Sequence, residues 1–296
     1  MEKKLMLIIN PAAGRSAYKN DLGEALRVLD NGGYRTSIYF TNAAREATEF
    51  VIAYAQDYDT IACVGGDGTL SEVISGLMQV KDPPPLGYFP MGTANDVATT
   101  LALPKNDNIA AARRIVHGRP HPFDVGGFGD IGYFAYIAAF GAFTNVSYAT
   151  PQNQKRVLGH LAYVLQGAAE LPKLKGIHAV VIHDNGIEEG DYIYGSFSNS
   201  TSVAGIVHLK DELVSLGDGY SELVLVKDPV DLQKMKSIVD GVMLQKYDEE
   251  NVRIIHTKKA RFIFDAPVPW TRDGEDGGSW KDIELCNHHR PIQLIF

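Results

Sequence analysis

Short aliphatic or β-branched runs alternate with segments of helical periodicity along the first 120 residues, and this alternation constrains the fold more than any other feature. Such alternation is typical of βαβ units, in which helices connect parallel strands. The predicted strands cover residues 5–10, 34–40, 60–64 and 85–89, and the predicted helices cover residues 21–30, 45–55, 70–78 and 108–116. The sequence therefore predicts an α/β domain built on a parallel sheet.

The composition changes near residue 123, after which Gly, Tyr and Ser become frequent and short alternating runs dominate. Such runs favour antiparallel strands. They cover residues 133–140, 179–183, 192–197, 222–226, 252–256 and 261–265, with helical patterns at 155–171 and 230–245. A length of 296 residues, at roughly 150 per domain, also indicates two domains. We expect an α/β domain over 1–124 and a β-rich, sandwich-like domain over 125–287, with the active site between them; the pattern of 288–296 leaves open which sheet this end joins.

The charge and cysteine content exclude several classes of protein. Lys and Arg number 28 against 36 Asp and Glu, a net charge of −8, which argues against broad electrostatic binding to nucleic acid. The longest apolar stretches, 5–9 and 133–143, are shorter than the ~20 residues of a membrane-spanning helix. Only Cys63 and Cys286 occur, and neither has metal-ligand spacing. We therefore expect a cytoplasmic protein without a transmembrane segment.

A glycine-rich segment, Val64-Gly65-Gly66-Asp67-Gly68-Thr69, lies where a hydrophobic strand ends and a helix begins. Glycines allow the backbone to approach a ligand closely, and the free N–H groups at a helix start attract phosphate. Asp67 would repel bare phosphate, so its presence suggests a magnesium ion shared with a nucleotide. The alternative is an ordinary tight turn.

Two further polar loops follow neighbouring predicted strands: Gly92-Thr93-Ala94-Asn95-Asp96 and Asn10-Pro11-Ala12-Ala13-Gly14. Taken alone, the segment from Gly92 to Asp96 is equally well interpreted as a helix cap. Together with the glycine-rich loop, both favour a nucleotide cleft at the carboxyl ends of adjacent strands.

The three loops, in this order and spacing, resemble the nucleotide motifs of the diacylglycerol kinase and lipid kinase family, which is related to the sphingosine kinases and, more distantly, the NAD kinases. In the second half, Asp218-Gly219 and Asp273-Gly274-Glu275 are similar to two further motifs of that family. The resemblance covers the whole chain. The first motif alone would admit an NAD kinase, whereas the Gly-Thr-x-Asn-Asp and Asp-Gly-Glu motifs together favour the soluble bacterial diacylglycerol kinase type.

The resemblance implies a role for each matching residue. Glu275 would be the general base, and Asp67, Asp96 and Asp124 would belong to an aspartate, water and Mg²⁺ network. The residues expected to bind ATP are Asn10, Thr41, Gly65, Gly66, Asp67, Gly68, Thr69, Leu70, Ser71, Glu72, Thr93, Asn95 and Asp96.

A second, structural Mg²⁺ would lie at Ser215, Asp218 and Tyr220, where only Asp218 offers a carboxylate. Two positions depart from the family pattern. Gly217 replaces an acidic residue that many relatives have at this metal site, and Arg272 replaces an apolar residue before Asp-Gly-Glu.

Alternatives remain for the catalytic residues. The acidic, glycine-rich run that contains Glu275 also fits a solvated hairpin tip, and Asp124 also fits a hinge turn. His288 and His289 are adjacent, so in a strand they point to opposite faces and are interpreted as surface residues. The stretch with Arg113, Arg114 and His117 is interpreted as a solvated basic edge.

We therefore predict an ATP-dependent, Mg²⁺-requiring kinase of diacylglycerol that contacts the membrane surface transiently. Residues 133–143 and 158–171 could form an apolar groove for the lipid, although ordinary core is the simpler interpretation. Basic residues at 155, 156, 173 and 175 could face an anionic membrane. Another hydroxyl acceptor (a sphingoid base, another glycerolipid or NAD) and an inactive nucleotide- or lipid-binding regulator are the alternatives, and a homodimer is left open.

Overall fold

The computed structural model describes residues 2–13, 21–92, 95–141, 176–199, 202–203, 207–208, 216–229, 234, 237–238 and 248–296. They belong to two compact units. Unit 1 comprises Met1–Val125, Tyr133–Ala135 and His288–Phe296, and unit 2 comprises Gly126–Gly132 and Tyr136–Asn287.

Unit 1 is built on a parallel sheet with the strand order β2-β1-β3-β4. Its strands are β1 (Lys3–Ile9), β2 (Tyr34–Phe40), β3 (Thr60–Gly65) and β4 (Leu86–Pro90). All residues of β3 and β4 are buried, as expected for strands covered on both faces.

Five helices connect the strands of unit 1: α1 (Leu22–Asn31), α2 (Glu46–Tyr54), α3 (Asp67–Leu77), α4 (Asp96–Thr100) and α5 (Asn108–His117). A short 3-10 turn, Ala55–Asp57, follows α2. Helices α1 and α5 share one core with the sheet, through Ala25, Leu29, Ala112 and Ile115 among others. The four strands and four helices predicted for this region are present, with every end within three residues of its predicted position.

Unit 2 is rich in antiparallel strands, which pair in the order β13-β12-β9-β7-β14-β15, with β8 beside β14 and β9. The strands that lie wholly or partly in unit 2 are β5 (Pro120–Phe128), β6 (Gly132–Phe134), β7 (Ile137–Gly141), β8 (Ile177–His183), β9 (Gly186–Ser198), β10 (Ser202–Val203), β11 (Val207–His208), β12 (Ser221–Lys227), β13 (Val252–Thr257), β14 (Lys259–Arg272) and β15 (Glu275–Ile295). The chain passes between units along β5 and β15, and Leu294 of β15 pairs in parallel with Leu86 of β4.

Three predicted strands differ in extent from the structure, one of them being the run 192–197, which is the C-terminal half of the longer β9. The run 133–140 is divided into β6 and β7 because the backbone N–H groups of Tyr136 and Ile137 donate to a side chain, Asp273 Oδ1, at 3.0 and 3.1 Å. The run 261–265 is the start of the much longer β14, whose pairing register shifts between Ile263 and Val268, so that its prolines fit at an irregular position. The predicted helix 155–171 lies outside the described residues, as does most of 230–245.

Asp184 joins the β8–β9 turn to the β13–β14 turn in unit 2. Its Oδ2 accepts hydrogen bonds from Lys258 N at 2.8 Å and Thr257 Oγ1 at 3.0 Å. Desolvation raises the pKa of Asp184, but these hydrogen bonds and the charge of Lys259 outweigh it, so the pKa lies below its usual value.

We expect Asp184→Asn to lower the free energy of unfolding at pH 7 by about 1 kcal/mol, a small effect because the carboxylate is exposed. A depressed folded-state pKa contributes stability above the unfolded-state pKa and loses it as pH falls through the folded-state value. Urea unfolding at pH 7 and pH 3 should therefore show a difference from wild type that shrinks in acid. The exposed Asp265→Asn serves as the control; an equal effect at both pH values would contradict the prediction.

Candidate nucleotide site

The strand order of unit 1 reverses between β1 and β3, because the chain passes from β1 to β2 on one side and then crosses to β3 on the other. In open α/β sheets, ligands bind in the crevice at the carboxyl ends of the strands where this reversal occurs. Asn10 follows β1, and Gly65 and Gly66 stand at the end of β3. The topology therefore places two of the three predicted loops at the expected ligand crevice.

Asn10 connects these two loops. Its Nδ2 donates to Thr69 Oγ1 at 3.0 Å, and its Oδ1 accepts from Ala12 N at 2.9 Å. Thr69 is buried against Gly65, where an added Cβ would lie 2.4 Å from Thr69 Oγ1. The hydrogen bond from Asn10 to Thr69 therefore links the loop after β1 to the segment that follows β3.

The loop after β3 and the loop after β4 are in close backbone contact at Gly66 and Gly92. A Cβ on Gly92 would lie 2.5 Å from Gly66 Cα and 2.7 Å from Asn95 Oδ1, and a Cβ on Gly66 would lie 3.2 Å from Gly92 Cα. Met91 N also donates to Gly65 O at 2.8 Å. Only glycine fits at position 92 without displacing the neighbouring loop.

Helix α3 begins at Asp67, with Gly66 as its N-cap, and Leu70 N donates to Gly66 O at 3.1 Å. The N–H groups of the first helical turn have no acceptor within the helix, and the helix dipole places partial positive charge there. The segment predicted as a loop is therefore the opening turn of an 11-residue helix that can bind phosphate at the crevice.

Asn95 holds the β4–α4 loop in shape. Asn95 is buried, and its backbone adopts a left-handed conformation with φ 52°. Its Oδ1 accepts from Gly92 N at 2.9 Å, and its Nδ2 donates to Gly92 O at 2.9 Å and Pro90 O at 3.3 Å. These bonds lie within the loop itself, and contact of Asn95 with a nucleotide stays a prediction.

Asn95→Asp should therefore disturb the loop although the side chain keeps its size. The carboxylate cannot donate to Pro90 O and Gly92 O, and a buried charge would face both carbonyl oxygens. We expect a loss of about 2 kcal/mol or more in the free energy of unfolding, measured by urea denaturation. Asp130→Asn, the reverse exchange at an exposed turn, should change it little; wild-type stability of Asn95→Asp would refute the role.

Two carboxylates lie near one buried hydroxyl, that of Tyr88 on β4. Burial raises the pKa of Tyr88 well above its usual range, and the negative charges of Asp67 and Asp96 raise it further. Asp67 and Asp96 begin α3 and α4, respectively. The two carboxylates predicted to serve Mg²⁺ thus belong to adjacent loops of the crevice.

The other predicted nucleotide residues differ in position. Thr41 follows β2 and is buried, and its N donates to Ile9 O at 2.9 Å, at the same sheet edge. Leu70 is fully buried, whereas Ser71 is partly exposed. Glu72 Oε1 accepts from Arg45 N at 2.9 Å and so supports the start of α2. Gly68 lies in the first turn of α3, and Thr93 lies outside the described residues.

Asp124 of β5 is fully buried in unit 1. Its Oδ1 accepts from Arg290 N at 2.7 Å and lies 3.2 Å from His289 Nδ1. His289 was interpreted only as a surface residue, and its side chain is indeed 49 % exposed, yet it contacts Asp124. No local sequence pattern could reveal the contacts of Asp124 with this segment, because Asp124 and Arg290 are 166 positions apart.

Glu275 is the first residue of β15 and is exposed. Asp273 and Gly274 form the two-residue turn before it, with φ 48° and 81°, as in a type I′ hairpin, and Arg272 pairs with Glu275. The buried Asp273 carboxylate anchors the turn to β7. The Arg272 guanidinium lies 5.9 Å from the Phe128 ring centroid, which accommodates the cation at this position.

The predicted structural metal site is only partly described. Asp218 Oδ1 accepts from Tyr220 N at 2.9 Å, and Tyr220 O accepts from Asn287 Nδ2 at 3.0 Å. Ser215 lies outside the described residues. In the described part of the chain, no three His, Cys, Asp or Glu residues form a group that could hold a metal ion. A metal at Asp218 therefore stays a prediction.

Comparison with known proteins agrees with the resemblance. A model of the diacylglycerol kinase catalytic domain matches residues 4–128. The chain is 30 % identical to a diacylglycerol kinase from Bacillus subtilis (strain 168) over 294 residues, which cover 99 % of this chain and 96 % of that protein. This similarity over nearly the full length of both chains shows the family.

Solved structures show the same fold. A diacylglycerol kinase from Bacillus anthracis str. Sterne matches with a TM-score of 0.74 at 20 % identity, covering 99 % of this chain and 97 % of that one. An NAD kinase from Archaeoglobus fulgidus, solved in complex with ATP, matches with a TM-score of 0.57 at 11 % identity, covering 99 % and 93 %. The sequence motifs, the fold and the full-length relative together show that the chain belongs to the diacylglycerol kinase family of lipid kinases.

Proposed function

We propose that this protein transfers the γ-phosphoryl group of ATP to the hydroxyl of diacylglycerol and so produces phosphatidic acid and ADP. The observation that carries the proposal is the contact of Gly66 with Gly92 beside the start of α3, at the switch point of the sheet. The named activity of the full-length relative supports diacylglycerol as the acceptor.

The nucleotide would be bound mainly by backbone groups. The first turn of α3 offers N–H groups to phosphate oxygens, and Gly66 and Gly92 allow close approach. This explains how a protein of net charge −8 can bind a polyanion.

Asp67 and Asp96 fit a magnesium ion, because Mg²⁺ prefers oxygen ligands and in kinases uses one or two carboxylates together with phosphates and water. The negative charges of both carboxylates raise the pKa of Tyr88, which supports a shared role of Asp67 and Asp96 at these neighbouring loops. When bound, the metal would neutralise the charge that develops on the phosphates.

Glu275 would act as the general base. The carboxylate takes the proton of the lipid hydroxyl as the acceptor oxygen forms its bond to the γ-phosphorus, while the bond from that phosphorus to the bridging oxygen of ADP breaks. Its position next to a rigid I′ turn limits its motion, which suits a residue that must be positioned for proton transfer.

Asp124 would keep a negative charge near the metal network. Asp124→Asn tests this charge, because the amide Oδ1 can still accept from Arg290 N. We expect turnover at least tenfold lower and weaker Mg²⁺ binding by calorimetry, with little change in the thermal midpoint. Asp124→Ala is less informative, because it leaves the part-buried Arg290 N–H without this acceptor and so costs about 1 kcal/mol of stability. Normal turnover and Mg²⁺ binding of Asp124→Asn would refute the role.

The acceptor is tested by incubating the protein with radiolabelled ATP, Mg²⁺ and, separately, diacylglycerol in mixed micelles, a sphingoid base, and NAD. We expect labelled phosphatidic acid as the main product, identified by mass spectrometry. A labelled sphingoid phosphate or NADP would instead assign a different hydroxyl acceptor. No transfer to any acceptor would indicate a nucleotide- or lipid-binding regulator.

In the described part of the chain, no helix is long and apolar enough to cross a bilayer. We propose that the protein works in the cytoplasm and meets its lipid substrate by transient contact with the membrane surface.

A further inference from the structure

A concave basic surface lies on α5, outside the nucleotide crevice. A cavity of about 480 Å³ opens between the α4–α5 connection, Ala102 to Pro104, and one stripe of α5. The stripe comprises Ala110, Arg113, Arg114 and His117, which share a helix face by their spacing of three and four residues.

The opposite face of α5 explains why this stripe points outward. Ala111, Ala112 and Ile115 are buried in the core that α5 shares with α1. Arg113, Arg114 and His117 are exposed. The helix is therefore fixed by its apolar side, and its basic side chains are free to meet a ligand.

The positive charge of this surface is not neutralised locally. Within the residues that the structure describes, Arg113 and Arg114 have no carboxylate within 4.0 Å, and none of the residues lining the cavity is acidic. Residues 105–121 contain four Lys or Arg and one acid, Asp107, for a local charge of +3 in a chain of net charge −8. Asp107 caps the far end of α5 by accepting from Ala110 N at 2.8 Å.

The helix dipole alone does not explain the arrangement. Cations in the last turn of a helix are favourable, which accounts for Arg114 and His117. The dipole does not account for Arg113, which lies before the last turn. It also does not account for the segment Ala102 to Pro104, which makes the surface concave. Two guanidinium groups in a cavity are suited to a phosphate group, which they bind through paired hydrogen bonds.

The basic end of α5 lies away from the ATP loops. Asn106 N donates to Pro90 O at the carboxyl end of β4, whereas Ile115 lies against Gly87 near its start, with an added Gly87 Cβ only 2.6 Å from Ile115 Cδ1. Helix α5 thus runs antiparallel to β4, and Ile115 lies about 10 Å along the strand from the Pro90 end, by the rise of three strand residues.

We propose that the cavity bounded by Arg113, Arg114, His117 and the Ala102 to Pro104 wall is a second anion site, which binds a phosphate group separately from the nucleotide crevice. A soluble phosphate compound and a phospholipid headgroup both carry this chemistry. The proposal does not depend on kinase activity, because the residues that line this cavity are different from those proposed to bind ATP.

The test compares two double variants with the same loss of charge. Arg113→Gln/Arg114→Gln removes the site, and Arg27→Gln/Arg35→Gln removes two arginines whose side chains are 78 % and 75 % exposed elsewhere in unit 1. Circular dichroism melting checks that both fold. Inorganic phosphate is titrated into ¹⁵N-labelled protein in the presence of a non-hydrolysable ATP analogue, and flotation is measured with phosphatidylcholine vesicles containing 30 mol % phosphatidylglycerol.

We expect saturable shifts of the amide resonances of residues 102–118, with a half-saturation concentration at least tenfold higher in the α5 variant and unchanged in the control. If vesicle flotation also falls only in the α5 variant, the source of the phosphate is a lipid headgroup; if flotation is equal in all proteins, the source is soluble. Equal behaviour of the two double variants in both measurements, or no amide shifts on α5 with wild-type flotation, would overturn the proposal.

Discussion

Glu275→Gln is expected to reduce phosphoryl transfer by about 10²- to 10⁴-fold, the range in which a positioned general base contributes. Glutamine has nearly the same size, but its amide cannot take the proton from the lipid hydroxyl. The turn that positions residue 275 depends on Asp273, Gly274 and the bonds of Asp273 to Tyr136 and Ile137, none of which the substitution removes. Initial rates with diacylglycerol micelles and ATP measure the effect.

The matched control for Glu275→Gln is Glu284→Gln, the same exchange at another exposed position of β15. It should leave the rate near wild type. ATP binding, measured by calorimetry, should be unchanged in both variants because the nucleotide loops belong to unit 1. Substantial turnover by Glu275→Gln, or equal losses in the two variants, would eliminate Glu275 as the base.

Gly92→Ala is expected to abolish most ATP binding through one added methyl group. The new Cβ would lie 2.5 Å from Gly66 Cα and 2.7 Å from Asn95 Oδ1, so the backbone of the neighbouring loop must move. Overpacking of this kind costs about 1–3 kcal/mol, and here the displaced groups are those proposed to bind phosphate. We expect the dissociation constant of ATP to rise at least tenfold, measured by calorimetry, with a lower thermal midpoint.

Gly23→Ala is the matched control, because an added Cβ at Gly23 in α1 meets no atom within 4 Å. Alanine favours a helix over glycine by up to about 1 kcal/mol, so this variant should be as stable as wild type or more so. ATP binding should not change. If Gly92→Ala bound ATP as tightly as Gly23→Ala, the contact of the two loops would not be needed for nucleotide binding.

The local elements of unit 1 and one turn of unit 2 could be predicted because their determinants are local. The alternation of strand and helix, the glycines at residues 65, 66 and 92 and the Asp273-Gly274 turn each depend on a few neighbouring residues. The course of β14 could not be predicted in this way. The prolines at 267 and 269 argue against a strand unless the pairing register shifts, and that shift depends on how β14 pairs with β15.

The hydrogen bonds of single side chains were harder to predict than the positions of the loops that carry them. Asn95 and Glu72 occur in motifs that suggest ligand contact, but their polar atoms bond to their own loop and to Arg45 N. Whether an amide or carboxylate meets a ligand or its own backbone depends on the geometry of the loop, which the residue types do not specify.

The sequence by itself determined the α/β pattern of the first half, the positions of the glycine-rich turns and the family, because periodicity, glycine conformation and motif spacing are properties of short segments. Only the tertiary structure decided which distant residues meet: the Gly66–Gly92 contact and the burial of Asp124 against Arg290. These contacts follow from the order in which strands assemble into a sheet. That order is set by the packing of the whole unit, so no short segment encodes it.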